Sequence, residues 1–158
     1  MIVPSLDVVP ADADFEARVR RSFGQQAAMT LIGAELVEVV PGRIVMTLAH
    51  SERVTQQHGF IHAGLVATAL DSACGYAAST LMPADAGVLT IEFKVNLLAP
   101  ARGPVLRIEG RVTKAGRTIS VADGIAWQPH PSRPDQEQAV ATITATLMCV
   151  TGRDDVRH

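Results

Sequence analysis

Two hydrophobic periods follow one another along the chain. Residues 11–26 put Phe15, Val19 and Phe23 on one stripe at i, i+4 and i+8, while Glu16, Arg18, Arg20 and Arg21 face elsewhere. That pattern predicts a surface helix packed by one face. From Ala34 the period changes to two. Residues 34–40 and 43–50 are β-rich runs around Pro41-Gly42, which predicts a hairpin. Residues 51–55 form a polar connection to a tight loop, QQHGFI at 56–61, and the loop runs into a long apolar helix over residues 62–82, stopped by Pro83. In residues 88–98 Leu89, Ile91, Phe93, Val95 and Leu97 are expected on one face, and Thr90, Glu92, Lys94 and Asn96 on the other. Strands are also expected over 105–114, 117–128 and 139–150, with a proline-rich loop, PHPSRPDQEQ, at 129–138.

The strand connections after the long helix are short, so the sheet should be largely antiparallel. A helix without a polar face fits best if a curved sheet wraps it. The expectation is an α+β fold, one domain over residues 11–150 between a loose arm at 1–10 and a polar tail at 151–158. Such a small chain leaves part of the helix and a sheet edge uncovered, so pairing with a second copy is expected.

Composition removes several function classes. A formal net charge of −2 gives no footprint for nucleic acid and no basic run for anionic lipid. The long helix reaches membrane-spanning length, but it is rich in Ala, Gly, Ser and Thr, carries Asp71 near its middle and lacks basic flanks. The N-terminus has no positive start, so no secretory signal is expected. Cys74 and Cys149 are expected as small core residues in a reducing cytoplasm.

The chemistry concentrates between residues 56 and 82. Asp71 is the one acid in an otherwise apolar helix, and a carboxylate there must be solvated, paired or used. The loop before it brings His58, His62, Gly59, Gly64 and the unpaired N–H groups of a helix start. His62 falls at the expected N-cap. Two histidines with one acid could suggest a metal, but one side chain is buried in the helix and no third close ligand is evident, so neither a metal nor another cofactor is expected.

The spacing Gln56, Gly59, His62-Ala63-Gly64, Asp71 resembles that of the hotdog-fold acyl-CoA thioesterases, in the PaaI-like phenylacetate-pathway branch of the 4-hydroxybenzoyl-CoA thioesterase superfamily. LTIEFKVNLLAPARG at 89–103 is similar to that family's strand-and-turn signature, and AGR at 115–117 to the turn before its next strand. Two positions depart from the family pattern: Gln56 stands for its Asn, and Ala63 for the first of two glycines. Alanine at 63 would be strained by a positive φ, but serves as well as glycine if only its N–H is needed.

The resemblance implies a hotdog fold and hydrolysis of an acyl-CoA to free acid and CoA by a homodimer or homotetramer. Asp71 then acts as general base or nucleophile. The N–H of Ala63 or Gly64 polarises the carbonyl. Gln56 and Thr90 orient water or substrate, the family placing a Ser or Thr beside its Asp, and the loop donors of one subunit face the Asp of the other. CoA carries phosphates, so Arg117 and, behind it, Arg102 are candidate cations, with Gly59 and His58 close to the substrate. The acyl chain would lie near Ala67, Leu70 and Tyr76. Two other readings are a hotdog dehydratase or hydratase, pairing His58 or His62 with Asp71, and an acyl-CoA binding module that needs no Asp71.

Overall fold

The apolar stripe of the first helix is buried as its spacing predicts. In the computed structural model, which describes residues 8–156, Phe15–Gln25 is helical (α1), with Val19 fully buried and Phe15 and Phe23 packed against the core. The helix starts later than expected because Asp12–Asp14 is taken up in a turn, where Asp12 Oδ1 accepts the Asp14 N–H. Arg18 is a correction: it does not face solvent but is 3% exposed. Its guanidinium pairs with Asp12 and donates to the Ser79 hydroxyl and to the carbonyls of Ser79 and Met82. Burial of this charge is compensated because every bond it makes is charge-assisted. A second short helix, Ala27–Ile32 (α2), has no counterpart among the expected elements; Gly33, at φ 74°, ends it in the left-handed conformation. Residues 1–7 of the expected arm and 157–158 of the expected tail lie outside the described residues.

Six strands follow: Ala34–Val40 (β1), Arg43–Ala49 (β2), Gly87–Leu97 (β3), Val105–Lys114 (β4), Ile119–His130 (β5) and Arg133–Val150 (β6). All pairings are antiparallel, in the order β1-β2-β4-β5-β6-β3. The expected proline loop is instead the tip of a long hairpin. Gln128 pairs with Gln138, Pro129 with Glu137 and His130 with Arg133. Prolines are tolerated here because the ladder is irregular between the last two pairs, so their missing N–H breaks no regular bond.

β3 carries the second correction. Its ladder to β6 shifts between Thr90 and Glu92, so Ile91 is the extra residue of a bulge. Strict alternation therefore fails. Thr90 pairs with Leu147, Phe93 with Ala145 and Val95 with Ile143, which puts Thr90 on the inner face with Phe93 and Val95; Leu89, opposite Met148, is on the outer face. One inserted residue re-aims a side chain across the sheet.

The sheet closes around Ala63–Ser79 (α3), which contacts all six strands. Small residues allow this approach. Gly110 and Gly124 are directly paired on β4 and β5, and a Cβ on Gly110 would sit 2.4 Å from the Ala73 carbonyl carbon. The backbone of α3 thus rests on the backbone of the sheet, with Ala73 and Ala77 fully buried around the contact. The helix ends three residues before the expected Met82, in a tighter turn where Leu81 and Met82 N–H groups reach back three residues to Ala78 and Ser79. Arg18 caps that end, and Thr80 Oγ1 accepts the Gly42 N–H at 2.7 Å, tying it to the β1–β2 turn. This is the α+β hotdog arrangement, one long helix wrapped by a curved antiparallel sheet.

Candidate active site

Asp71 lies half-buried near the middle of α3. Thr90 Oγ1 donates to its Oδ1 at 2.8 Å, a contact made possible by the β3 bulge. Burial raises the proton affinity of Asp71 above the usual aspartate value, and the Thr90 hydrogen bond offsets part of that rise by favouring the carboxylate. The neighbouring hydroxyl and thiol are engaged in packing. Ser72 Oγ donates to Gln26 Oε1 at 3.2 Å, and the Cys74 thiol is buried against Gly124, its acidity suppressed chiefly by desolvation.

The loop before α3 is built from its own backbone. Thr55 and Ile61 form an isolated bridge, the Gly59 N–H reaches the Gln56 carbonyl at 2.9 Å, and Gly59 needs its φ of 81° to close the turn. His50 Nε2–H donates to the Gly59 carbonyl at 2.8 Å. The Gln56 side chain turns inward and accepts the His58 N–H through Oε1. His58 itself lies against Gln57. The Ile61 N–H donates to Ala101 O and the His62 N–H to Val54 O, both at 2.8 Å.

His62 is the N-cap of α3, and its Nδ1 accepts the Gly64 N–H at 3.0 Å. This bond distinguishes the two N–H groups. The Gly64 N–H is occupied, whereas the Ala63 N–H, at the exposed first helical position, has no hydrogen-bond partner among the described residues. No non-glycine described residue has a positive φ, so alanine at 63 is unstrained.

Beside the loop is a cleft of about 560 Å³. Gln56, Phe60, His62 and Ala63 form one wall; Leu97 to Ala101 and Val140 form the other. The Arg102 guanidinium sits 4.9 Å over the Phe60 ring at this end. Arg117 is at the far end of α3, sharing a smaller hollow with Met82, Ser120 and Cys149. Tyr76 and Leu70 do not line the cleft: Leu70 is fully buried, and Tyr76 packs on Phe23 with its hydroxyl 3.3 Å from Ser22 Oγ. Ala67, one turn before Asp71, stays half-exposed on the same side of the helix. His50 was missed because nothing in sequence spacing links it to Gly59.

The structure thus brings Asp71 to Thr90, and Gln56, Gly59, His62, Ala63 and Arg102 to one end of α3, but it does not join the two groups. Neither histidine meets Asp71 within the chain. Ala63 and Asp71 are eight residues apart on one helix, about 12 Å along the axis.

A hotdog sheet around a helix that carries one inward-held acid defines the class of protein, and comparison with known proteins agrees. The thioesterase superfamily model matches residues 58–134. A thioesterase family protein from Silicibacter pomeroyi is 47% identical with a TM-score of 0.83, over 87% of this chain and 99% of that one. The E. coli PaaI protein from the phenylacetic acid degradation operon shares the fold at 16% identity, TM-score 0.75, over 90% and 97% of the two chains. A 1,4-dihydroxy-2-naphthoyl-CoA hydrolase of Listeria monocytogenes is 27% identical over 90 residues, covering 57% of this chain and 73% of that protein. The chain belongs to the thioesterase superfamily. It is a thioester hydrolase with the hotdog fold. No helix among the described residues is long and apolar enough to cross a membrane.

Proposed function

We propose that this thioester hydrolase cleaves acyl-CoA, in a site shared between two subunits. The observation that carries the shared site is the separation of Ala63 and Asp71. A carbonyl held by its oxyanion donor and attacked by a water spans ~7 Å from donor to water, and about 10 Å at most from donor to the carboxylate that takes the water's proton. Within one chain the two positions are about 12 Å apart along the helix axis, beyond that span. A second copy can supply the shorter distance, with Ala63 of one subunit facing Asp71 of the partner subunit.

The edge of β3 supports pairing. It ends the sheet, runs for 11 residues, and exposes Ile91 (52%), Phe93 (46%) and Leu97 (59%). A long apolar edge of this kind calls for a cover.

In this reading the substrate carbonyl lies against the Ala63 N–H at the positive end of the α3 dipole. Asp71, held by Thr90, takes the proton of the attacking water; its raised proton affinity suits a base. The tetrahedral oxyanion is stabilised by the Ala63 N–H and collapses with loss of the CoA thiolate. Gln56 and His62 shape the loop, Arg102 sits where a CoA phosphate could be met, and Arg117 reaches the substrate only across the subunit boundary. The acyl group lies along the apolar wall of the cleft near Leu97 and Val140. Support for CoA comes from the Listeria relative, which is named for a CoA thioester. A reducing cytoplasm, where CoA esters occur, is the compartment this reading fits.

The test is thiol release from a panel of aliphatic and aromatic acyl-CoAs by wild type and Asp71→Asn. Release by wild type that drops by orders of magnitude in a folded mutant is the expected result. Equal turnover by both proteins, or none from any acyl-CoA by wild type, would overturn the assignment.

A further inference from the structure

Gln128 is a polar side chain in an apolar place. It ends the inward row of β5 after Ala122, Gly124 and Ala126, and is 2% exposed. A primary amide offers two donors and two acceptor lone pairs, and here all four are used. Oε1 accepts the N–H groups of Arg102 (2.8 Å) and Gly103 (2.9 Å). Nε2 donates to Pro100 O and to Gln138 Oε1, both at 3.1 Å. Three of these bonds go to one backbone segment, the irregular connection between β3 and β4.

That connection has a second client. Its Ala101 carbonyl, between the residues Gln128 grips, accepts the Ile61 N–H at 2.8 Å. Ile61 is two residues before Ala63, and the next N–H, of His62, is held by Val54 O. The same connection supplies Leu98 to Ala101 to the wall of the cleft. Gly103 records how close the parts lie: a Cβ there would meet Gln128 Cβ at 2.9 Å. No regular secondary structure holds this segment: Val140 O accepts the Leu98 and Ala99 N–H groups at one end and Pro104 O accepts the His50 N–H at the other, while Pro100 O and the Arg102 and Gly103 N–H groups between them are held by the one buried amide.

We infer that Gln128 is a positioning residue for hydrolysis: it fixes the Pro100–Gly103 connection, which through Ala101 and Ile61 sets where the Ala63 N–H points. It touches no reacting atom. The inference rests on the reading of Ala63 as oxyanion donor. An oxyanion donor is worth 10²–10³ in rate only when aimed, and a misplacement of about 1 Å can cost about 10²-fold.

The experiment compares wild type with Gln128→Met, which keeps length and removes all four bonds, and Gln128→Glu, which keeps the acceptor for the Arg102 and Gly103 N–H groups. Two readouts are taken: kinetics of thiol release from an acyl-CoA, and amide hydrogen exchange. Expected for Gln128→Met is a fall in kcat of about 10- to 100-fold with KM within about threefold. Gln128→Glu should recover most of that loss. Exchange at the Ile61 amide should accelerate selectively, with the middle of α3 still protected. If Gln128→Met does not fold, Gln128→Asn, too short to span to the connection, takes its place with the same expectation. Wild-type kcat in the folded variant would overturn the inference. So would loss of protection throughout α3 together with Ile61, the mark of a merely structural role, or unchanged Ile61 exchange. Absence of thiol release by wild type would remove the acyl-CoA reading instead, and the Ile61 exchange would still decide whether Gln128 positions the loop.

Discussion

A backbone donor can be deleted at residue 63, because Ala63 is the first residue of α3, directly after the His62 N-cap. An N–H at that position has no acceptor within its own helix. Proline removes the donor, and the first helical position is where proline is best tolerated, its fixed φ being already helical. The residue before a proline must be extended, and His62 already is, at φ −60° and ψ 132°. In the proposed mechanism Ala63→Pro therefore subtracts one hydrogen bond from the developing oxyanion, and it leaves the Gly64–His62 cap in place. Loss of one oxyanion donor raises the barrier by about 2.7–4 kcal/mol, a fall in kcat of about 10²–10³-fold. Stability should stay within about 0.5 kcal/mol, as for other substitutions that remove no packing. Steady-state thiol release alongside thermal unfolding checks both quantities. A folded Ala63→Pro protein with wild-type kcat would refute the assignment of the donor, and a rate loss that merely follows loss of folded protein would refute the claim that proline is tolerated there.

Mixing Ala63→Pro and Asp71→Asn chains in equal amounts makes half of the dimers mixed, each with one intact site, so about a quarter of wild-type turnover should return. No recovery would place the site within a single chain. Thr90→Val removes the hydrogen bond that favours the Asp71 carboxylate, so the acid limb of the kcat/KM profile should move to higher pH; an unmoved limb would separate Thr90 from the reacting acid. Burial makes the folded chain prefer protonated Asp71, so the stability this group contributes is present at low pH and is lost as pH rises through its folded value. Asp71→Asn, always neutral, should melt no lower than wild type at neutral pH and lose its relative advantage in acid; a lower melting temperature at neutral pH would show that the carboxylate is not held at a cost. Gly110→Ala forces a Cβ to 2.4 Å from the backbone of Ala73, so denaturant unfolding should show a loss of about 3 kcal/mol, the upper end for overpacking; a loss below about 0.5 kcal/mol would mean that α3 can lift off the sheet freely.

Much of the site was legible because its residues are close in sequence. Gln56, Gly59, His62, Ala63 and Gly64 form one loop and one helix start, and the N-cap role of His62 follows from its place before the first helical residue. Asp71 stood out as the lone acid of an apolar helix. Thr90 was harder, since two-residue alternation sends it to the wrong face and only the bulge at Ile91 returns it. Tyr76 and Leu70 belong to the core and not to the cleft beside the loop, a distinction that apolar side chains do not carry in sequence. Arg18 falls off the apolar stripe of its helix in the sequence pattern. Its burial follows from the position of the end of α3, some sixty residues away in sequence, against which α1 packs.

Local physics settles what is legible along the chain: the period of each element, the turn at Pro41-Gly42, the tight loop, the helix start and the acid within the helix. Long-range contact decided the rest. The proline-rich hairpin tip exists because β5 and β6 pair along their length, and local turn chemistry cannot announce a partner strand. The choice between the Ala63 and Gly64 N–H groups turns on one side-chain rotamer, His62 accepting one donor and leaving the other. Gln128 reads as an ordinary strand residue until β5, β6 and the β3–β4 connection are brought together around it. The separation of Ala63 from Asp71 has a different standing: 1.5 Å per residue of straight helix makes it a consequence of sequence, while the second copy that would bring such groups together belongs to the tertiary and quaternary levels.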